Sequence, residues 1–281
     1  MIIDFHTHLF PRQIRENRER FFSGEPAFEL LYKPEKSKLC GGTDIIAAMD
    51  EDGVDKSVVF GFPWQDEDLS RRHNDYILAT AERSNGRLIG FACFDVMAEN
   101  ALSEARRCLE AGAGGIGELA LYRSGIDGEA LDRLAPIMDA AREFDAPVLI
   151  HTNEPVGHMY PGKTPVTPDQ IWNLVARFPE NKVVLAHWGG GIFFFHMLKK
   201  QAKELLENVY YDTAASPYLY DKRIYREACD IIGPEKVLYG SDFPLLRPMR
   251  YFKEIAGAGL SEEEAKKILG ESAAKVLGIE S

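Results

Sequence analysis

Residues 2–8 read Ile2-Ile3-Asp4-Phe5-His6-Thr7-His8, an apolar start that runs into a His-x-His pair. Side chains alternate faces along a strand, so residues two apart point the same way. If this stretch is a strand, His6 and His8 project together from its carboxyl end. Neutral imidazole is a good ligand for zinc and similar ions. The stretch predicts half of a metal site, although an exposed histidine pair without a ligand would have the same sequence.

The rest of the chain alternates apolar runs with amphipathic segments. The runs predict strands at 56–62, 88–94, 115–121, 146–151, 182–187, 209–213 and 236–242. The segments between them predict helices near 43–53, 70–84, 100–111, 129–144, 167–178, 194–206 and 222–231, with a last helix ending near 277. Strands that alternate with helices pair in parallel through right-handed crossovers. Eight such units predict an α/β fold, the (β/α)8 TIM barrel, with active groups at the carboxyl ends of the strands.

No linker or shift in composition divides the 281 residues, so we expect a single domain over 1–281. The stretch 10–42 is long for a plain connection, and long loops are often lids or binding loops. A solvated helix and loop would also explain it. The aromatic and aliphatic residues within 21–32 suit either a lid or a homodimer contact.

Composition narrows the class of protein. The formal net charge of −11 argues against a nucleic-acid partner, which needs a basic face. No apolar run approaches the ~20 residues that cross a bilayer, and no basic leader precedes an apolar segment. The four cysteines are scattered and indicate reduced thiols. We therefore expect a cytoplasmic protein that does not contact a membrane and acts on a small molecule.

Several predicted strands end on ionisable residues. Besides the first strand with its two histidines, these residues are Glu118, His151, His187 and Asp242. Each alone could be a satisfied core or turn residue, because buried polar groups need partners. Together they would face one mouth of the barrel. Two or more histidines and a carboxylate, with one position left for water, describe a catalytic divalent site.

The motifs as a set resemble the amidohydrolase superfamily, and within it the amidohydrolase-related group that includes aminocarboxymuconate-semialdehyde decarboxylase. The resemblance covers nearly the whole chain. It is carried by Ile-Asp-Phe-His-Thr-His at 3–8, Met-Asp-Glu-Asp-Gly-Val-Asp at 49–55, Val-Leu-Ile-His at 148–151, Leu-Ala-His-Trp-Gly-Gly at 185–190, Tyr-Gly-Ser-Asp-Phe-Pro at 239–244 and Ser-Ala-Ala-Lys-Val-Leu-Gly at 272–278.

The resemblance implies a distorted (β/α)8 barrel with one or two divalent ions. By position, the metal ligands of single-ion members match His6, His8, His151 and Asp242. His187 matches a catalytic histidine or one that lies beside the ligands. Glu118 falls where two-ion members place a bridging lysine or glutamate, so it is a further candidate ligand. The expected cofactor is one divalent ion, zinc, with a second ion left open.

The expected reaction follows from such an ion. A bound ion lowers the pKa of its water from 15.7 to about 7 and polarises a substrate oxygen. Asp242 would accept the proton, and His187 would act as acid–base partner or oxyanion donor. We expect a hydrolase of C–N or C–O bonds in an amide, ester or lactone. The alternatives are a lyase, decarboxylase or hydratase, on an unsaturated carboxylic acid, and a non-catalytic metal-binding barrel.

Substrate contacts are less well defined by the sequence. Arg247 could grip a carboxylate with two hydrogen bonds. Trp64, Trp188 and Tyr218 could line an aromatic wall, although packing within loops would explain all three. Gly189–Gly191 could cradle an anion, or simply make a tight turn.

Overall fold

The computed structural model describes residues 1–279 and contains eight strands at the predicted apolar runs. They are β1 (Ile3–His8), β2 (Lys56–Phe60), β3 (Leu88–Ala92), β4 (Gly115–Leu119), β5 (Val148–Ile150), β6 (Val183–Leu185), β7 (Val209–Asp212) and β8 (Val237–Leu238). Neighbours in the chain pair in parallel throughout. Backbone hydrogen bonds from Phe5 to Tyr239 and from His8 to Phe243 join β8 to β1. The (β/α)8 barrel is confirmed.

Helices surround the barrel. They are α1 (Arg12–Glu16), α2 (Pro26–Tyr32), α3 (Gly42–Asp52), α4 (Glu67–Glu82), α5 (Ala101–Glu110), α6 (Gly128–Glu143), α7 (Pro168–Arg177), α8 (Ala202–Leu205), α9 (Ser216–Leu219), α10 (Ile224–Ile232), α11 (Pro248–Ala256), α12 (Glu262–Lys266) and α13 (Ser272–Leu277). Short 3-10 turns lie at Arg18–Phe21, His187–Met197 and Pro234–Lys236, and a π-helical turn at Lys267–Glu271. Across residues 1–279, none of the helices combines the length and apolarity that a membrane span requires.

Buried apolar side chains from the strands fill the interior of the barrel. Phe5 of β1 meets Phe91 of β3 edge to face, with ring centroids 5.7 Å apart. Val58, Leu149 and Val184 come from other strands and belong to the same buried cluster. Because this core fills the interior, polar strand residues are left at the carboxyl ends, where parallel barrels place their sites.

The predicted helix over 194–206 is wrong. After β6 the chain forms irregular 3-10 turns, and only α8 is helical in this region. Leu198 is extended and Gln201 has φ of 65°, so the helix is interrupted there. The sequence from Ile192 to Met197 is a nearly continuous apolar run without a polar face, and a surface helix needs one.

The stretch 10–42 contains α1, a 3-10 turn and α2, and it is anchored by aromatic side chains. Phe28 of α2 is fully buried and packs against Phe62 and Trp64, which follow β2. This contact ties the stretch to the carboxyl end of the barrel. The single-domain limits, lid movement and the homodimer contact stay predictions.

His73 of α4 gives a testable dependence of stability on pH. It is buried, its Nδ1 accepts a hydrogen bond from Trp64 Nε1 at 2.8 Å, and its Nε2 donates to the Leu9 carbonyl at 2.7 Å. Burial lowers the pKa of His73 to about 4 from 6.5. Because the folded state binds this proton more weakly, stability is lost as pH falls from 6.5 to 4, by about 3 kcal/mol.

Urea unfolding of the wild type and of H73Q between pH 4 and 8 measures this effect. We expect the wild type to lose more stability than H73Q over the acidic half of that range. The matched control is H158Q, which replaces an exposed histidine and should keep the wild-type slope. Parallel pH profiles for the wild type and H73Q would contradict the assignment.

Candidate metal centre

The fold brings the predicted site residues to one end of the barrel. His6 and His8 lie in β1 and Glu118 in β4, while His151 directly follows β5. The other two members, His187 and Asp242, follow β6 and β8. Three overlapping groups have ligand atoms within 4.8 Å of one another, namely His6-His8-Glu118, His6-His187-Asp242 and Glu118-His151-His187.

The distances within the cluster suit atoms that share an ion. His6 Nε2 lies 3.7 Å from Glu118 Oε2 and 3.8 Å from Asp242 Oδ1. His8 Nε2 lies 3.9 Å from Glu118 Oε2 and 3.2 Å from Asp242 Oδ1. Ligand atoms that are each ~2.1 Å from one ion lie about 3–3.5 Å apart. Most of the observed separations are too long for hydrogen bonds but close to that spacing.

His6 is held in the form that binds a metal. Its ring is fully buried, and its Nδ1 donates to Asp212 Oδ2 at 2.8 Å. Nδ1 therefore carries a proton, so Nε2, which points into the cluster, is the nitrogen that a metal ion would bind. Among residues 1–279 this buried Nε2 has no hydrogen-bond partner. A carboxylate behind the ring and a free nitrogen in front are typical of a metal-ligating histidine.

Asp212 is a candidate site residue that the sequence analysis missed. It ends β7, is fully buried and accepts from the backbone N–H groups of His187 and Ala214 as well as from His6. The signal was present, because Asp212 also ends an apolar strand on an ionisable residue. One carboxylate thus positions residues from β1 and from the turn after β6.

The two remaining histidines lie differently. His187 donates from Nδ1 to the Ala214 carbonyl at 2.9 Å, and its Nε2 faces Glu118 Oε1 at 3.5 Å. His151 has a partner at each nitrogen, Glu118 Oε1 at 2.8 Å and the Gly162 carbonyl at 3.0 Å. Both rings therefore contact or face the same carboxylate. The division of roles between them that the resemblance implied stays a prediction.

The cluster attracts positive charge. Burial lowers the pKa of His6, but the nearby carboxylates, led by Asp212 and Glu118, outweigh it and raise this pKa to about 10. Burial likewise lowers the pKa of His187, and the carboxylate of Glu118 raises it to about 9. For Asp242, burial raises the pKa and the imidazoles of His8 and His6 lower it to about 2. A divalent cation would satisfy the same carboxylates that here favour protonated imidazoles.

Two glycines allow the strands to approach at the cluster. Gly117 has φ of 127°, and a Cβ there would overlap the Leu149 carbonyl of β5. A Cβ on Gly240 would lie 2.8 Å from the His6 Cβ. Larger residues would therefore displace β4 and Glu118, or the ring of His6.

The predicted substrate residues lie outside these contacts. Trp64 and Trp188 are fully buried, and their indole N–H groups donate to His73 and to Ser216 Oγ. Arg247 forms ion pairs with Asp52 at 2.9 Å and Glu51 at 2.8 Å. Within residues 1–279, these three side chains make no hydrogen bond or ion pair with the histidines and carboxylates of the candidate metal site. Their part in substrate binding stays a prediction.

The comparison with protein families identifies the class. The family model described as Amidohydrolase matches residues 3–279, so the chain belongs to the amidohydrolase family. The resemblance drawn from the sequence motifs is thereby confirmed.

Solved structures with the same fold include two decarboxylases and a probable hydrolase. The chain is similar to 5-carboxyvanillate decarboxylase LigW from Sphingomonas paucimobilis, with 18% identity, 99% of each chain covered and a TM-score of 0.76. The chain is also similar to the 5-carboxyvanillate decarboxylase of Novosphingobium aromaticivorans, complexed with manganese and 4-hydroxy-3-methoxy-5-nitrobenzoic acid. The identity is 17%, the match covers 99% of this chain and 96% of the other, and the TM-score is 0.75. A probable 2-pyrone-4,6-dicarboxylic acid hydrolase from Acinetobacter baumannii, with citric acid bound, is similar at 16% identity. That match covers 99% of each chain and has a TM-score of 0.65.

The Asp212–His6 pair yields a prediction about metal affinity. In D212N, the side-chain oxygen that accepts from His187 and Ala214 can remain, so the amide NH2 would face His6 Nδ1. The proton of His6 would then move to Nε2 and block the ligand atom. We expect the affinity for Mn²⁺ or Zn²⁺, measured by calorimetry, to fall by about 10- to 100-fold.

The control for this experiment is D132N, which removes an exposed carboxylate paired with Arg177 on the barrel surface. It should bind metal like the wild type. Equal affinities for D212N and the wild type, with both proteins folded, would show that Asp212 does not set the tautomer of a ligand.

Proposed function

We propose that this protein is a metal-dependent decarboxylase of a planar, unsaturated carboxylic acid, most simply an aromatic one. The observation that carries metal dependence is the buried, unpartnered Nε2 of His6 facing the carboxylates of Glu118 and Asp242. The preference for decarboxylation is supported by the similarity to two decarboxylases, one of them complexed with manganese and a nitrobenzoic acid.

Imidazole nitrogens and carboxylate oxygens of this chain would hold the ion. We assign it to His6, His8, Glu118 and Asp242, with His151 and His187 beside Glu118. This mixed donor set suits Zn²⁺ and Mn²⁺, so zinc, expected from the sequence, is one of two candidates. When bound, a divalent ion supplies Lewis acidity toward substrate oxygens and lowers the pKa of bound water.

Residues of the chain must then supply one proton to the substrate. In decarboxylation, the bond between the substrate carbon and its carboxylate breaks, and carbon dioxide leaves. The electron pair stays on the carbon, which takes up one proton. We assign His187 as the proton donor because its Nε2 faces Glu118 Oε1 at 3.5 Å beside the proposed ligands, while its Nδ1 is held by the Ala214 carbonyl. Asp242, whose pKa is lowered to about 2, stays anionic and stabilises positive charge beside it.

Hydrolysis of a lactone, ester or amide is the second candidate, and it was the preferred one from the sequence. It would use the same cluster, with Asp242 as the base for water. Its support is the family description and the similarity to the 2-pyrone-4,6-dicarboxylic acid hydrolase. The two decarboxylases have the higher TM-scores, so they favour the lyase. A non-catalytic metal-binding barrel has the least support, because the similar solved structures are described as decarboxylases or a probable hydrolase.

The test is carbon dioxide release by the metal-loaded protein over a panel of hydroxylated benzoic acids that includes 5-carboxyvanillate. Ring opening of 2-pyrone-4,6-dicarboxylate is measured in parallel. We expect release of carbon dioxide, its loss on chelation and its return with Mn²⁺ or Zn²⁺. H187N and D242N should each lower kcat by about 100- to 10,000-fold, as expected for loss of a proton-transfer group.

The matched control is H196N, which removes a histidine that contacts the Tyr211 hydroxyl outside the cluster. It should retain wild-type kcat. Carbon dioxide release that persists in protein shown to be metal-free would contradict the proposal. Hydrolysis of the pyrone without decarboxylation of any acid would replace it with the second candidate.

A further inference from the structure

Two tyrosines that the mechanism does not use lie next to the metal cluster. Tyr122 follows β4, and its ring stacks on that of His151 with centroids 6.2 Å apart and planes at 30°. Tyr32 ends α2, within the stretch 10–42. Phe62, which follows β2, joins them: it stacks with Tyr122 at 6.3 Å and meets Tyr32 edge to face at 6.1 Å.

Three segments of the chain therefore form one wall beside the cluster, the tyrosine wall of Tyr32, Phe62 and Tyr122. Aromatic rings prefer offset-stacked or edge-to-face neighbours, and such pairs stabilise by about 0.5–1.5 kcal/mol beyond the area they bury. Phe62 is buried, whereas both tyrosines are partly accessible. A flat substrate at the metal cluster would lie against this wall.

Within the described part of the chain, the hydroxyls of Tyr32 and Tyr122 are neither hydrogen-bonded nor fully buried. Tyr251 donates to the Ser241 carbonyl at 2.7 Å and Tyr160 to Glu154 at 2.9 Å, whereas the buried hydroxyls of Tyr220 and Tyr225 have no partner among residues 1–279. The hydroxyls of Tyr32 and Tyr122 have no hydrogen-bond partner among residues 1–279. Neither hydroxyl is among the fully buried polar atoms that lack a partner. Each hydroxyl can thus bond a ligand that reaches it.

The charges of the cluster reach both hydroxyls. Burial is the largest cause that raises the pKa of Tyr32, and the carboxylates of Asp242 and Glu118 raise it further. The pKa of Tyr122 is also raised, again by burial first and then by Glu118. Both side chains therefore stay protonated at neutral pH, and each hydroxyl can donate a hydrogen bond to an anionic or oxygen-bearing ligand.

We propose that Tyr32 and Tyr122 are substrate-contacting residues that select a planar acid bearing an oxygen substituent on its ring. The rings of the tyrosine wall hold the substrate plane, and the two hydroxyls donate hydrogen bonds to its oxygen substituents. This inference rests on the proposed function and adds the source of its specificity. It also gives the stretch 10–42 a direct role, because Tyr32 comes from it.

The experiment measures binding to the metal-loaded protein by calorimetry, so that turnover is not needed. The probes are benzoate, its three monohydroxy isomers and cyclohexanecarboxylate. In the wild type, we expect benzoate to bind more tightly than the saturated ring, and at least one hydroxybenzoate more tightly than benzoate. Y32F or Y122F should lower the affinity for that hydroxybenzoate by about 3- to 10-fold, because one neutral hydrogen bond is lost. The affinity for benzoate should be unchanged.

The matched control is Y210F, since Tyr210 of β7 lies under Lys236, at the opposite end of the barrel. It should bind all probes like the wild type. An unchanged preference for the hydroxybenzoate in both Y32F and Y122F would overturn the inference, and so would failure of all the aromatic probes to bind. Selective binding without carbon dioxide release would instead contradict only the proposed function.

Discussion

The hydrogen bond from His6 to Asp212 is the constraint on which the rest of the site depends. It joins the first strand to the seventh and fixes which nitrogen of His6 has a lone pair. Asp212 is fully buried, so it also adds a negative charge that must be balanced. The same carboxylate accepts from the backbone of His187 and so orients the turn after β6. The buried Asp212 carboxylate thus orients the ring of His6 and adds negative charge that a bound cation would balance.

The barrel explains why such a cluster can exist. Each strand contributes few polar residues, and the parallel arrangement delivers them to the same end. Glu118 on β4 then lies between imidazoles from β1, β5 and the turn after β6. The apolar interior beneath them excludes water and strengthens every charge interaction in the cluster. A cation at this position would neutralise the carboxylates and give the buried Nε2 of His6 a partner.

Much of this could be predicted from the sequence, because the signals are local. A strand that ends on a histidine or carboxylate is visible in one chain, and the eight apolar runs fixed the number of strands. The same signal pointed to Asp212, which was overlooked because it had no counterpart in the motifs that carried the resemblance. The contacts of Tyr32, Phe62 and Tyr122 could not be predicted, because three distant segments meet there. Trp64 and Trp188 illustrate the converse: the sequence left both an aromatic wall and packing within loops open, and the structure shows both side chains buried.

Anomalous X-ray scattering from crystals of the manganese-loaded protein tests the central claim most directly. The account predicts one peak at the mouth of the barrel, about 2.0–2.3 Å from His6 Nε2 and from carboxylate oxygens of Glu118 and Asp242. It also predicts that Asp212 remains bonded to His6 Nδ1 in that structure. A peak elsewhere, with His6 Nε2 bound only to water or to another protein group, would contradict the account.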